Sequence, residues 1–257
     1  MTSREDIDSM LCPLEGVIHQ GGGRGSRYEE VCRERVIHLF LNDDAIVSLV
    51  ASPAQLRELG AGFVISEGLA SSVHRVEVDG DRVMVYGNVI DRPLEVATGS
   101  SGGLSTGRIL RGIVSDITID RDDIFTVMAG IVSELWERTG GAHCSVLFSG
   151  GSMVAKSSDV GRHNTVDKVV GRGILTGIDM SRCVLGCTGR QPAGMISKAL
   201  NAGIPIIISK AATTDDGVEL AREAGLTLVC RVKDGRFSVY SHPERIRGLK
   251  DMDREGS

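Results

Sequence analysis

The sequence lacks the long apolar runs that a helical membrane span requires. No stretch of about 18 consecutive apolar residues occurs among its 257 residues, so no membrane partner is expected. Residues 1–8 are acidic and lack the apolar segment of a secretion signal, which favours a cytoplasmic protein. Aromatic residues make up only 4%, so the core must rest on Val, Ile, Leu and Ala. The net charge of −5 does not support a nucleic-acid partner.

The sequence also lacks the motifs of several common site classes. No P-loop and no dinucleotide-binding glycine fingerprint occurs. The six cysteines are widely spread, and the cysteines and histidines never show the paired close spacing of zinc sites, so no protein-bound metal is expected. Most of them stand in apolar runs, which is typical of reduced thiols that pack as small hydrophobic groups.

The apolar pattern divides the chain into three parts. Residues 1–30, with a glycine-rich run at 21–27, predict a flexible segment. Residues 31–120 predict a smaller β-rich part with one helix, which starts at Ser52 and Pro53, and a Gly/Ser/Thr loop at 98–107. Residues 121–248 predict an α/β domain. It begins with a single helix over 122–138 and continues with apolar strands that alternate with helices, a pattern typical of a largely parallel sheet.

Ligands of such sheets bind in the loops beyond the carboxyl ends of the strands. Three loops of the α/β part meet that description, at residues 157–164, 188–191 and 210–216. The first loop leads into the most informative stretch of the chain, residues 159–168, which we call the signature stretch. Because this polar stretch precedes an apolar helix, it predicts an anion site at a helix N-terminus.

The signature stretch carries cations, an imidazole and acceptors together. Arg162 and Lys168 can pair with phosphate oxygens. Asp159 and Asp167 suit either a base edge or ribose hydroxyls, or else they hold the cations in place. The alternative interpretation is a helix cap supported by charge pairs four residues apart. The cap interpretation gives no reason for Gly161 and His163, and Asn164 suits the amide or carbonyl groups of a ligand.

Two further segments contain candidate site residues. His143 follows a glycine pair at the start of a strand, where it is either a ligand or proton-transfer group or a hydrogen-bonded histidine of a turn. Thr188, Gly189 and Arg190 follow a buried strand and offer free N–H groups and a cation, which suits a phosphate. We expect His143 and His163 to face the same cleft.

From about Glu34 to Arg245 the chain resembles the FdhD family, the formate dehydrogenase accessory sulfurtransferases. Five segments carry the resemblance in the same order: 62–68 (GFVISEG), 139–143 (TGGAH), 161–168 (GRHNTVDK), 188–190 (TGR) and 203–205 (GIP). The resemblance implies a cytidine deaminase-like α/β sheet with flanking helices and a smaller β-rich part before it. It also implies a homodimer.

The resemblance implies a role in sulfur transfer as well. Members of the family are expected to accept sulfur from a cysteine desulfurase as a persulfide. They pass it to the molybdenum (or tungsten) cofactor in its bis-molybdopterin guanine dinucleotide form, before insertion into the catalytic subunit of formate dehydrogenase. GDP serves as a mimic of this cofactor. The implied cofactor-binding residues are His143, Gly161, Arg162, His163, Asn164, Asp167, Lys168, Thr188, Gly189, Arg190, Arg231 and Lys233.

One departure from the family pattern bears on that role. The family carries its reactive cysteine in the loop that corresponds to residues 98–105, and Ser101 stands at that position here. A serine hydroxyl cannot hold a persulfide, because only a thiolate can. Either another thiol such as Cys144 or Cys187 takes its place, or the protein is a non-catalytic cofactor-binding chaperone, or Ser101 is not native. A hydrolase or deaminase that pairs His143 with Glu67 is a less favoured alternative.

Overall fold

The computed structural model describes residues 3–90, 97–98, 104–105 and 112–249. The described helices are α1 (Arg4–Ser9), α2 (Leu56–Ser66), α3 (Arg121–Gly130), α4 (Glu134–Thr139), α5 (Arg162–Leu175), α6 (Ala193–Ala202) and α7 (Asp215–Glu223). The described strands are β1 (Leu11–Gln20), β2 (Gly23–Cys32), β3 (Arg35–Leu41), β4 (Asp44–Ala51), β5 (Ala70–Asp79), β6 (Arg82–Val89), β7 (Ala97–Thr98), β8 (Leu104–Ser105), β9 (Ile119–Asp120), β10 (His143–Ser149), β11 (Ser152–Asp159), β12 (Cys183–Cys187), β13 (Ile206–Ser209), β14 (Thr227–Lys233), β15 (Arg236–Ser241) and β16 (Ile246–Arg247). None of these helices has both the length and the apolar character needed to cross a lipid bilayer.

A six-stranded sheet in the order β11-β10-β12-β13-β14-β15 forms the centre of the second half. The predicted α/β fold is confirmed, but the prediction of a largely parallel sheet is wrong. Only β12, β13 and β14 are mutually parallel. Two-residue turns at 150–151 and 234–235 join β10 to β11 and β14 to β15, and such short turns require antiparallel neighbours. The likeness to cytidine deaminase stays a prediction.

Both faces of the central sheet are buried, which explains why its inner strands are apolar throughout. Leu185 and Ile207 face the core shared with α2, α5 and α6. Val184 and Ile206 face the opposite core, to which α3 contributes. A second sheet, in the order β4-β3-β6-β5, packs on α2 through Leu39 and its neighbours. Helix α2 therefore lies between the two sheets.

Helices α2 and α5 cross with their backbones in close approach. A Cβ atom placed on Gly62 of α2 would lie 1.7 Å from the carbonyl oxygen of Asp167. A Cβ atom on Gly171 of α5 would lie 1.9 Å from the carbonyl oxygen of Glu58. Only glycine fits at either position. The crossing places the start of α5 directly beside β4 of the second sheet.

Three local predictions differ from the structure. Residues 1–30 contain α1 and the β1–β2 hairpin rather than an irregular segment, because Gly21 and Gly22 form the hairpin turn with positive φ. The helix expected at Ser52 begins at Leu56, since tertiary hydrogen bonds hold Ser52 elsewhere. The helix expected over 122–138 is two helices. Ser133 breaks it by adopting an extended conformation, capping α4 and bonding the Ser158 hydroxyl at 2.7 Å.

Candidate functional site

The signature stretch forms the end of β11 and the first two turns of α5. Gly161 is the N-cap residue of α5 and has no side chain with which to cap it. The unpaired N–H groups and the positive end of the helix dipole therefore lie at the start of α5, as an anion site requires. The stretch then divides into side chains that hold the helix and side chains that face a cavity.

Asp159 and Lys168 hold the start of α5 to β4. Both side chains are 0% exposed, and Lys168 Nζ lies 2.5 Å from Asp159 Oδ2. Lys168 also donates to the carbonyl of Ser52 at 3.0 Å. Asp159 Oδ1 accepts from the Gly161 amide and from the Asn164 side-chain amide, each at 2.8 Å. The buried cation is thus matched by a carboxylate whose two oxygens are both hydrogen-bonded.

A second buried charge cluster joins α5 to α2 and α6. Lys198 Nζ lies 2.8 and 2.9 Å from the two carboxylate oxygens of Asp167 and 2.6 Å from Glu67 Oε1. The Ser66 hydroxyl also donates to Asp167, and the ring of Phe63 lies under the ammonium at 5.2 Å. Burial raises the pKa of the Asp167 carboxyl. Burial also acts to lower the pKa of Lys198, but the neighbouring carboxylates of Asp167 and Glu67 outweigh this effect and raise it.

These two clusters bear on three predicted cofactor-binding residues. The ammonium of Lys168 is enclosed by protein acceptors. Asn164 and Asp167 line a cavity, but their side chains also make the protein contacts described above. The geometry therefore gives all three a positioning role, and their direct binding role stays a prediction. Glu67 is bound to Lys198, and His143 is hydrogen-bonded to Thr188, so each has another partner in the structure; their pairing in a hydrolase or deaminase stays a less favoured prediction.

Arg162 and His163 face the cavity that we call the signature cavity, of about 560 Å³. Arg162 Nε is buried and has no hydrogen-bond acceptor among the described residues. Burial lowers the pKa of Arg162, and the nearby Arg190 lowers it further. Burial, together with Lys198, Arg162 and His143, lowers the pKa of His163 to about 3. The imidazole of His163 is therefore neutral at pH 7.

His143 lies where the signature cavity meets a second cavity. The second, which we call the tryptophan cavity, has a volume of about 730 Å³ and is lined on one side by Trp136. Both His143 and Val160 line the two cavities. The Thr188 hydroxyl accepts from the Cys144 amide at 3.0 Å and lies 3.2 Å from His143 Nδ1. Burial, with Arg162 as the second cause, lowers the pKa of His143.

The structure brings the two predicted histidines to one cavity wall and the predicted 188–190 loop beside them. A Cβ atom on Gly189 would lie 2.8 Å from the Arg162 side chain, so glycine is needed for Arg162 to pack there. Thr188 and Lys233 line the tryptophan cavity. Arg231 is exposed at a bulge of β14, and neither it nor Arg190 is among the residues that line the two cavities.

Two residues that sequence reasoning missed also line the tryptophan cavity. Lys210 stands directly after β13, in one of the three loops expected at a ligand site, so the strand-end rule offered a signal for it. Trp136 gave no such signal, since the predicted continuous helix hid its position on α4. Among the described residues no group of side chains is arranged to hold a metal ion.

The six thiols differ sharply in exposure. Cys144, Cys183, Cys187 and Cys230 are buried, whereas Cys12 and Cys32 are half-buried in the β1–β2 hairpin. Burial raises the pKa of the Cys144 thiol, raises that of Cys183 to about 11, and raises those of Cys187 and Cys230 to about 12. The Cys32 sulfur lies 3.0 Å from the Thr139 hydroxyl, close to the rim of the tryptophan cavity at Gly141. Ser101 lies outside the described residues.

Comparisons with known proteins agree with this arrangement. A model of the FdhD/NarQ family matches residues 32–247. The chain belongs to the FdhD/NarQ family. A sulfur carrier protein FdhD from Methanothermobacter thermautotrophicus is 33% identical over 85% of this chain and 92% of its own length. A sulfur carrier protein FdhD from Thermoplasma acidophilum is 38% identical over 77% of this chain and 78% of its own length.

A solved structure supports the same assignment. The crystal structure described as a formate dehydrogenase accessory protein from Desulfotalea psychrophila superposes with a TM-score of 0.79. The two chains are 29% identical, and the superposition covers 92% of this chain and 99% of the other. The predicted resemblance to the FdhD family is therefore confirmed, and the family match includes both cavities and the whole signature stretch.

Proposed function

We propose that this protein is a sulfur carrier that matures formate dehydrogenase and that it binds the guanine dinucleotide form of the molybdenum (or tungsten) cofactor as its cargo. The observation that carries the proposal is the meeting of two cavities at His143, directly beside the start of α5. Proteins of the same family that are named sulfur carriers match most of this chain.

The residues around the two cavities suit a nucleotide diphosphate. The unpartnered Nε of Arg162 and the uncapped start of α5 offer donors for phosphate oxygens in the signature cavity. Lys210 and Lys233 supply positive charge in the tryptophan cavity. His143 and His163 are neutral, so each offers one N–H donor and one acceptor rather than a further charge. The combined volume leaves room for a ligand larger than a single nucleotide.

Calorimetry of GDP binding tests the cargo half of the proposal. GDP should bind the purified full-length protein, and Arg162→Leu should weaken that binding about tenfold while the unfolding temperature stays unchanged. Glu219→Gln, an exposed residue of α7 outside both cavities, serves as the control. Absence of binding by the wild-type protein would contradict the proposal.

The sulfur half depends on which thiol could carry the sulfur. A raised pKa keeps the four buried cysteines protonated at neutral pH, and a protonated buried thiol is a poor nucleophile. This disfavours the two substitutes expected from the sequence, Cys144 and Cys187. Cys12 and Cys32 remain as the accessible thiols of the chain.

The burial of these thiols also favours a second function, that of a cofactor-binding chaperone. With Ser101 at the family's cysteine position and four thiols buried, the protein would act as a cofactor-binding chaperone that moves no sulfur. Incubation with a cysteine desulfurase and sulfur-labelled cysteine separates the two functions. Label on Cys12 or Cys32, lost on treatment with a thiol reductant, supports the carrier. GDP binding without any label supports the chaperone.

A further inference from the structure

The tryptophan cavity is lined by a flat aromatic side chain and by a carboxylate that has no partner among the described residues. Trp136 is 55% exposed and lines the cavity together with apolar neighbours such as Ile131 and Val132. The adjacent residue Leu135, not Trp136, supplies the fully buried side chain of α4. Packing in the core therefore does not explain the indole, which lines the cavity.

Glu137 follows Trp136 and also lines the cavity. The other glutamate of the helix, Glu134, lies 3.2 Å from the Arg138 guanidinium. The Glu137 carboxylate makes no hydrogen bond or ion pair with any described residue. Lys210 and Lys233 line the same cavity and give its lining a net positive charge, and neither forms an ion pair with the Glu137 carboxylate.

A carboxylate beside an indole face selects among flat heterocycles by their hydrogen-bonding edges. Guanine presents two adjacent N–H donors, from its ring N1 and its exocyclic N2, and one carboxylate accepts both. Adenine presents a lone pair at the corresponding ring nitrogen, which a carboxylate repels. An indole face stacks on either base, because stacking depends on the π-face rather than on the edge.

We propose that Trp136 and Glu137 form the base-recognition end of the tryptophan cavity, with Trp136 stacking on a guanine base and Glu137 selecting it against adenine. The proposal rests on the proposed function, because that function supplies the guanine nucleotide. It adds the residues that bind the base. In this arrangement α4 binds the base, whereas Lys210, Lys233 and the start of α5 bind the phosphates.

The composition of the chain makes this proposal directly measurable. Trp136 is the only tryptophan of the sequence, so all indole fluorescence reports on this position. Titration of the wild-type full-length protein with GDP should quench that fluorescence, with the same midpoint that calorimetry gives. ADP should bind about tenfold more weakly or less, since it cannot satisfy the carboxylate.

Two variants separate stacking from edge recognition. Trp136→Leu should weaken GDP and ADP alike, by about tenfold to a hundredfold in calorimetry. Glu137→Gln should weaken GDP about tenfold, and ADP should bind as well as or better than before because the repulsive carboxylate is gone, so the preference for guanine disappears. Glu134→Gln, on the same helix outside the cavity, should leave both affinities unchanged and serves as the matched control.

The possible outcomes distinguish failure of this proposal from failure of the proposed function on which it rests. If calorimetry shows GDP binding while the fluorescence stays constant and Trp136→Leu binds normally, the base lies elsewhere and the inference is overturned, although the cofactor-binding function stands. If GDP and ADP bind equally to the wild-type protein, the role of Glu137 is overturned. If no nucleotide binds at all, the proposed function itself is overturned.

Discussion

Replacement of Lys198 by methionine should destabilise the protein more than the loss of any exposed charge. The side chain is 1% exposed, and its ammonium lies within 3 Å of Asp167 and Glu67, which are 1% and 2% exposed. Methionine fills a similar volume but leaves two carboxylates with no cation between them. Removal of one partner of a buried ion pair typically costs about 3–5 kcal/mol.

The expected loss translates into a measurable shift of the unfolding temperature. For a chain of this size each kcal/mol lowers the midpoint by roughly 2–4 °C, so the variant should unfold roughly 6–20 °C lower. Urea unfolding at pH 7 measures the same loss as a free energy. Lys210→Met, which removes an exposed lysine, should change stability by less than about 0.5 kcal/mol.

A triple variant tests whether unpaired charge, rather than lost packing, is the cause. Lys198→Met combined with Asp167→Asn and Glu67→Gln removes all three charges and should recover part of the lost stability, because uncharged buried groups carry a smaller desolvation cost. The reasoning would be refuted by a loss below about 1 kcal/mol in the single variant. It would also be refuted by a triple variant that is less stable than the single one.

Three further predictions concern packing, titration and thiol reactivity. Gly62→Ala should cost at least about 3 kcal/mol in urea unfolding, since its Cβ has no room, whereas Gly25→Ala in the exposed hairpin should be silent. Folding lowers the pKa of His163 from 6.5 to about 3, so the stability that is present above pH 6.5 is lost as the pH falls toward 3. His163→Gln should reduce this loss of stability in acid. Stability–pH curves that run parallel for the two proteins would contradict the assignment. Pulsed alkylation of the native protein should modify Cys12 and Cys32 first, and early modification of any buried cysteine in the mass spectrum would contradict the order.

The strands and helices of the second half follow from local pattern, whereas their relative directions do not. The apolar runs before residues 188 and 210 correctly predict β12 and β13. The sequence analysis does not predict the strand at 236–241, because it does not interpret the pair Asp234-Gly235 as a hairpin turn. The turn at Gly150-Gly151 is predicted between two strands, but the antiparallel pairing that it imposes is outweighed by the apolar strands that follow, so the pattern favours a mainly parallel sheet. The turn residues therefore indicate the relative directions of the strands, which the apolar pattern does not.

The candidate site was predictable in its location but not in its division of roles. Strand-end loops and the charged start of α5 indicated where a ligand would bind, and the cavities lie there. The sequence could not show that Lys168 is paired with Asp159 whereas Arg162 has an unpartnered Nε, because both are cations of the same short stretch. The pairing of Lys168 depends in part on the carbonyl of Ser52, which is more than a hundred residues away in the chain.

Comparison of Lys168→Met with Arg162→Leu separates positioning from direct binding. Lys168 holds α5 to β4 from a fully buried site, so Lys168→Met should lower stability by about 3–5 kcal/mol. It should weaken GDP binding only as far as the start of α5 shifts. Arg162 faces the signature cavity, so Arg162→Leu should weaken GDP binding about tenfold at nearly unchanged stability. A Lys168→Met protein that keeps wild-type stability but loses GDP binding would contradict this assignment, because only an ammonium that contacts the ligand directly gives that result.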